Sequence, residues 1–188
     1  MKTAIILHGQ PSKEEYFNPD SPSQSNKHWL PWIQRELILR DILAQTPEMP
    51  RPYDPDYRKW KTVFEQFTLN QNTALIGHST GAGFLLRWLS ENRICVDKVA
   101  LIAPWLNIDH EDKTNFFDFE IDPSLIQRVT NITMFISSDD SSGVIKSAAK
   151  IRDLAPGISV KQFTNHGHFT FNSMKTDKFP ELLDALIQ

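Results

Sequence analysis

Short apolar runs alternate along the chain with segments in which apolar residues recur every three or four positions. The runs have the length of β-strands and are bounded by Gly, Pro, Asp or Ser. They span residues 3–8, 41–46, 73–77, 97–103, 132–137 and 158–163. Between them the spacing is helical, as Trp29, Ile33 and Leu37 illustrate. The pattern predicts strands and helices in alternation.

The composition of the strand segments indicates how these elements are arranged. Their apolar residues are nearly continuous rather than alternating, which is typical of strands buried on both faces. We therefore expect a doubly wound, three-layer α/β fold with a mainly parallel six-stranded sheet and helices on both faces. The chain of 188 residues fits a single domain over 1–188. In such folds ligands bind at the carboxyl ends of the strands.

Composition and charge narrow the partners that the chain could bind. The formal net charge is −3, which provides no electrostatic attraction to nucleic acid or to an anionic membrane surface. The single cysteine, Cys95, has no partner for an internal disulfide. The apolar run near the N-terminus is too short for a secretory signal or a membrane span. We expect a cytoplasmic protein that binds neither nucleic acid nor membrane.

The segment Gly77–Gly81 reads Gly-His-Ser-Thr-Gly and falls between a predicted strand and a predicted helix. This is the G-x-S-x-G pattern in the context that a nucleophile elbow requires, with the serine exposed on a strained turn. A chance match at a glycine-rich turn is the competing explanation, and the strand–helix context argues against it. The sequence therefore favours Ser79 as a nucleophile.

A serine hydroxyl needs a base to take its proton and an acid to orient that base. In an α/β sheet of this kind these groups follow the serine in the order Asp, His. Asp139 and Asp140 follow the fifth predicted strand, and His166 and His168 follow the sixth. One aspartate could instead cap the next helix. The histidines could be surface residues or a metal pair, but no cysteine or carboxylate cluster completes a zinc site nearby.

Backbone amides must also stabilise the charge of a tetrahedral intermediate. The amide of Thr80, at the start of the helix, is one candidate donor. The amide of Gln10 is the second, since Gly9 lets the loop after the first strand turn inward. We expect His8, His78, Trp29 and Trp105 to line the substrate pocket, although core packing explains Trp29 about as well. No cofactor or metal is expected.

Several motifs together resemble a known family. They are the Trp-x-x-Trp stretch in His28–Trp32, the elbow Gly77–Ser79, Ser138–Asp140 and Gly167–Phe169. In this order, and over nearly the whole chain, they are similar to small serine hydrolases of the α/β-hydrolase superfamily, in particular retinoblastoma-binding protein nine and its bacterial relatives. The resemblance implies a six-stranded sheet in the order 2-1-3-4-5-6.

The resemblance also implies roles for individual residues. It makes Ser79 the nucleophile, Asp140 the orienting acid and His168 the base, in a carboxylesterase that acts on small acyl esters through a covalent acyl-enzyme. The alternative function is a hydrolase-fold interaction module with little or no activity. The Leu-x-Cys-x-Glu motif of retinoblastoma binding is absent, since the only cysteine lies in the sequence Asn-Arg-Ile-Cys-Val-Asp.

Overall fold

Parallel strands form one sheet at the centre of the computed structural model, which describes residues 1–111 and 113–188. The order across the sheet is β2-β1-β3-β4-β5-β6, and each neighbouring pair is parallel. The strands are β1 (Lys2–Leu7), β2 (Ile42–Gln45), β3 (Thr73–His78), β4 (Val96–Ile102), β5 (Val129–Ser137) and β6 (Ser159–Phe163). This arrangement confirms the α/β fold class, the six strands and their order.

Helices occupy the connections between the strands. They are α1 (Lys13–Phe17), α2 (Leu30–Ile38), α3 (Tyr57–Phe64), α4 (Thr80–Glu91), α5 (Ser142–Leu154), α6 (Phe171–Met174) and α7 (Pro180–Ile187). Short 3-10 helices lie at Gln24–Asn26 and Pro123–Gln127. The connection between β4 and Pro123 has no regular helix in its described residues, as its sequence predicts; Asp112 lies outside them.

Two apolar cores cover the two faces of the sheet. In β1, the side chains of Ile5 and Leu7 pack on the face covered by α3, α4 and α5. Their neighbours Ala4 and Ile6 pack on the opposite face, beneath α2 and α7. Successive side chains of a strand point to opposite faces, so a strand covered on both sides must be apolar throughout. This explains the continuous apolar runs in the sequence.

The strand register brings the carboxyl ends of the strands together. Leu7 at the end of β1 is level with Gly77, His78 with Ile102, and Ser137 with Phe163. The residues that follow β1, β3, β5 and β6 therefore meet at one edge of the sheet, and these are the segments in which the sequence places its candidate chemistry.

No helix within residues 1–111 and 113–188 combines the length and the apolar character needed to cross a lipid bilayer.

Candidate active site

Ser79 lies on a strained turn between β3 and α4. Its φ is 55° and its ψ is −117°, a left-handed conformation that costs a residue with a Cβ about 1–3 kcal/mol. The surrounding backbone fixes the turn. The Ser79 amide donates to the Ile102 carbonyl at 2.9 Å, and the Ser79 carbonyl accepts from the amides of Ala82 and Gly83 at 3.0 and 3.1 Å. The serine side chain is thereby held at the carboxyl edge of the sheet.

Gly81 allows the first turn of α4 to lie against the end of β1. A Cβ at this position would be 2.5 Å from the His8 carbonyl oxygen and 2.8 Å from that of Leu7. No backbone carbonyl can be approached so closely by a methyl group. The second glycine of the G-x-S-x-G pattern is therefore required by the packing of helix on strand, which keeps the loop after β1 beside Ser79.

Ser79, His168 and Asp140 form a continuous chain of hydrogen bonds. Oγ of Ser79 is 2.9 Å from Nε2 of His168, and Nδ1 of His168 is 3.1 and 3.0 Å from the two carboxylate oxygens of Asp140. Because a carboxylate only accepts, Nδ1 carries the proton and Nε2 is left to accept from the serine. Such an arrangement can take the serine proton as the hydroxyl attacks a carbonyl carbon.

The two adjacent aspartates have different surroundings. The Asp140 side chain is 3% exposed and faces His168. Asp139 accepts instead from the Ser137 hydroxyl and, at 3.0 Å, from the Gly167 amide. The hydrogen bond from Ser137 holds the pKa of Asp139 below its ordinary value. Asp139 thus ties the end of β5 to the loop that carries the histidine, while Asp140 points at the histidine itself.

The loop that carries His168 is anchored at three consecutive residues. Asp139 binds the amide of Gly167, and Nε2 of His78 donates to the His168 carbonyl at 2.8 Å. The indole Nε1 of Trp29 donates to the carbonyl of Phe169 at 3.0 Å. These contacts limit the movement of the imidazole relative to Ser79.

Trp29 does not take the position on the pocket wall that the sequence suggested. Its side chain is fully buried, and its ring packs against those of His78 and Phe179. The reason is that Trp29 immediately precedes α2, whose apolar face packs on the sheet. The structure therefore supports core packing as the role of Trp29. In addition, its indole donates a hydrogen bond to the loop that carries His168.

His8 is held in one tautomer by its two neighbours. Nδ1 lies 2.8 Å from the Gly9 carbonyl and must donate to it, whereas Nε2 accepts from the Met49 amide at 2.8 Å. Burial lowers the pKa of His8, which keeps the ring neutral. Both ring nitrogens are therefore engaged in positioning the loop after β1.

Ser79 opens onto two recesses. The first, here called the enclosed cavity, has a volume of about 250 Å³ and is lined by His8, Gln10, Gln24, His28, His78 and His168, among others. The second, the open cleft, measures about 340 Å³ and is more exposed; Gln10, Thr80, Trp105 and Ser141 lie along it. A larger cavity of about 650 Å³ lies against the loop after β4, away from Ser79. His8, His78 and Trp105 are thus placed at the recesses beside the serine.

Thr80 and Gln10, the two candidate oxyanion donors, both lie beside Ser79 along the open cleft. Thr80 is the first residue of α4, and the first amides of a helix have no acceptor within the helix. The loop after β1 reaches the serine, since a Cβ on Gly9 would be 3.1 Å from the Cβ of Ser79. Gln10 follows in this loop and lines both recesses.

Two histidines of the cavity wall, His28 and His78, have pKa values below the ordinary value for a histidine. Burial lowers the pKa of His28 to about 4, with a smaller contribution from Lys27. Burial likewise lowers the pKa of His78 well below its ordinary value. His166, the other candidate base, packs its ring against Phe163 at 4.2 Å between centroids. Within residues 1–111 and 113–188, no group of three His, Cys, Asp or Glu residues is arranged to hold a metal.

Two residues of the cavity wall, Gln24 and His28, were not singled out in the sequence. His28 begins the His-Trp-Leu-Pro-Trp stretch, so its neighbours could have indicated it. Its Nδ1 accepts from the Phe171 amide at 3.2 Å. Gln24 lies in a polar segment with no distinguishing pattern, and only the folded chain shows that it is buried.

Comparison with known proteins places this geometry in context. The profile of the family described as serine hydrolase matches residues 20–187. The chain is 27% identical to YdeN of Bacillus subtilis over 170 residues, which are 84% of this chain and 86% of YdeN. The crystal structure of the ydeN gene product superimposes with a TM-score of 0.82 at 22% identity, covering 99% of this chain and 97% of the other.

More distant structures share the fold. Est1E from Butyrivibrio proteoclasticus, solved with bound ferulic acid, has a TM-score of 0.64 at 10% identity and covers 100% of this chain and 90% of its own. A YdeN-like protein from Pectobacterium atrosepticum has a TM-score of 0.65 at 17% identity, with 98% and 89% of the two chains covered. These similarities show the α/β-hydrolase architecture.

Proposed function

The chain belongs to the serine hydrolase family, and on this premise we propose that it is a carboxylesterase that acts on small acyl esters through an acyl-enzyme on Ser79. The observation that carries the proposal is the hydrogen-bonded chain from Ser79 through His168 to Asp140, with a Ser79–His168 distance of 2.9 Å. A serine in this setting is activated as a nucleophile, whereas an isolated serine is not.

In the acylation step, Oγ of Ser79 attacks the carbonyl carbon of the ester while Nε2 of His168 takes the hydroxyl proton. The bond between the acyl carbon and the alcohol oxygen then breaks, and His168 returns the proton to the leaving alcohol. Asp140 stabilises the imidazolium that exists between these two transfers, and it keeps Nε2 directed at the serine.

The negative charge of the tetrahedral intermediate needs donors on the side of the carbonyl oxygen. The amides of Thr80 and Gln10 fill this role in the proposal, since both residues lie along the open cleft with Ser79. Each donor of this type contributes about 10²–10³ in rate. In the second half of the reaction water attacks the acyl carbon, His168 takes its proton, and Ser79 leaves with that proton as the carboxylic acid departs.

The same residues favour an ester over an amide substrate. An alcohol leaves readily once His168 has protonated it, and the open cleft provides a route by which it can depart. We also propose a cytoplasmic location, for which the single cysteine and the lack of an internal disulfide are the support. Fractionation of cells that express the chain would test this location.

The activity is tested with 4-nitrophenyl acetate and its amide counterpart, 4-nitroacetanilide, at equal concentrations. We expect steady release of nitrophenol from the ester, with much slower cleavage of the anilide. Ser79→Ala should lose nearly all of the ester hydrolysis, since the acyl-enzyme can no longer form. Faster turnover of the anilide, or full ester hydrolysis by folded Ser79→Ala, would contradict the proposal.

A further inference from the structure

Gln24 is a buried polar side chain that the fold itself does not use. The residue is 7% exposed and lies on the wall of the enclosed cavity beside Ser79. Its backbone is engaged, since the Gln24 amide donates to Glu48 at 3.1 Å and its carbonyl accepts from the Lys27 amide. The carboxamide of the side chain, however, makes no hydrogen bond to any residue within 1–111 and 113–188.

The amide atoms of this side chain are accessible from the cavity, since within residues 1–111 and 113–188 the unpartnered side-chain polar atom fully shielded from solvent is Nε of Arg128. A polar group without a protein partner can hydrogen-bond a molecule in the cavity without breaking an existing contact of the fold. Glutamine offers both a donor and an acceptor, which suits a hydroxyl group. The position of Gln24 beside the reacting serine points to a partner that belongs to the substrate.

The enclosed cavity is small and polar. Its volume of about 250 Å³ is below that of sites for drug-sized ligands, which begin at about 300 Å³. Besides Gln24, the polar residues Thr170 and Asn172 line it. These groups suit a short acyl chain with a polar substituent better than a long alkyl chain.

Geometry assigns the enclosed cavity to the acyl group. The alcohol must leave Ser79 and water must enter before the acyl group is released, and the open cleft is the more exposed of the two routes. The acyl group stays attached to the serine during this exchange. It therefore belongs in the recess that is less exposed to solvent.

The charges on the cavity wall disfavour an acyl group that carries a carboxylate. Glu15 lines the cavity. The ammonium of Lys27 is already paired with Glu15, and the Lys27 side chain is only 8% exposed. The neighbouring imidazoles of His28 and His78 are neutral, because burial lowers the pKa of each. A carboxylate on the acyl group would therefore be repelled by Glu15, and neither His28 nor His78 would provide a positive charge to balance it.

We propose that the enclosed cavity is a binding site for short hydroxyacyl groups, in which the carboxamide of Gln24 hydrogen-bonds the substrate hydroxyl. The proposal rests on the esterase function proposed above and names the class of acyl group that this esterase hydrolyses. Gln24 is then a residue that determines specificity, while the bond-making chemistry stays with Ser79 and His168.

The test uses three 4-nitrophenyl esters: 3-hydroxybutyrate, 3-methylbutyrate and hemisuccinate. The first two differ only in a hydroxyl that replaces a methyl group, and the third adds a carboxylate. We expect kcat/KM for the hydroxybutyrate to exceed that for the methylbutyrate by about threefold to tenfold, the range that one hydrogen bond provides. The hemisuccinate should be the slowest of the three.

Gln24→Leu keeps the size of the side chain and removes its hydrogen bonds, so the ratio of hydroxybutyrate to methylbutyrate should fall to about one. Gln66→Leu changes an exposed glutamine in the same way and should leave the ratio unchanged. Equal rates for the first two esters in the unmodified protein would overturn the proposal, and so would a ratio that survives Gln24→Leu. If no ester is hydrolysed and Ser79 does not react with a fluorophosphonate, it is the esterase function that fails.

Discussion

The carboxylate of Asp140 contacts Nδ1 of His168 at 3.0 and 3.1 Å, whereas the carboxylate of its neighbour Asp139 accepts a hydrogen bond from the Gly167 amide in the same loop. The two aspartates are adjacent in the chain and point to different targets. One is directed at the imidazole, and the other holds the backbone that carries it. This division separates orientation of the base from stability of the loop.

Replacing the two aspartates in turn separates these roles. Asp140→Asn leaves a side chain of the same shape that no longer fixes the proton on Nδ1, and we expect kcat to fall by about 10⁴. Asp139→Asn should cost far less activity, because the imidazole keeps its carboxylate partner. Steady-state kinetics on one ester measures both, and a larger loss in Asp139→Asn would reverse the assignment.

Stability should fall as the pH is lowered from about 6.5 toward 4. The folded-state pKa of His28 is about 4, below the ordinary value of 6.5, so between these values the unfolded chain binds a proton that the folded chain does not. The stabilisation is complete above pH 6.5 and is lost as pH falls, at up to about 1.36 kcal/mol per pH unit for each such proton. His8 and His78 act in the same direction, because burial lowers the pKa of each.

Urea unfolding at several pH values measures this effect. Asn at position 28 can adopt the φ of 58° found there, so His28→Asn should fold and show a shallower loss of stability below pH 6.5. His110→Asn makes the same substitution at an exposed histidine with a φ of 56° and is the control. Its free energy of unfolding should vary with pH as that of the unmodified protein does. An unchanged slope in His28→Asn would show that this residue titrates alike in both states.

Gly81 and Gly143 offer a matched pair of glycine substitutions. In Gly81→Ala the new Cβ would be 2.5 Å from a backbone carbonyl oxygen, and we expect a loss of about 1–3 kcal/mol in the free energy of unfolding. At Gly143, in α5, the nearest atom would be 3.5 Å away. Gly143→Ala should therefore be neutral or stabilise by up to about 1 kcal/mol, as alanine does in a helix. Equal effects of the two substitutions on urea unfolding would argue against the close approach at Gly81.

Trp29 is expected to act through the histidine loop. Trp29→Phe keeps an aromatic ring but leaves the buried carbonyl of Phe169 without its donor, which should cost about 1–3 kcal/mol of stability. Activity should fall mainly in kcat, because His168 loses part of its support. Trp32→Phe, at the half-buried tryptophan in the first turn of α2, is the control and should change kcat little. A change in KM alone for Trp29→Phe would indicate direct contact with substrate.

The fold could be predicted from the sequence because its buried strands are short apolar runs. A central parallel strand such as β3 is covered on both faces, so it is an unbroken apolar run with a turn at each end. The position of Ser79 could be predicted as well, since Gly77 and Gly81, which let α4 pack closely on β3 and on β1, form a short recognisable pattern around it. Both features are marked in the sequence by residues that lie close together along the chain.

Other features depend on side-chain direction, which spacing does not specify. Asp139 and Asp140 both follow β5, and only the folded turn directs one of them at His168. Trp29 has the composition of a pocket residue, but its indole turns into the core and donates to Phe169. Gln24 is surrounded by other polar residues in the sequence, so its burial beside Ser79 arises only from tertiary packing.

Intact-mass spectrometry after incubation with a fluorophosphonate at neutral pH shows whether Ser79 is an activated nucleophile. Attack by Oγ forms a phosphorus–oxygen bond and expels fluoride, with His168 taking the proton. We expect a single adduct in the unmodified protein and none in Ser79→Ala shown to be folded. Failure of the folded, unmodified protein to form any adduct would contradict this role of Ser79, as would an adduct that persists in Ser79→Ala.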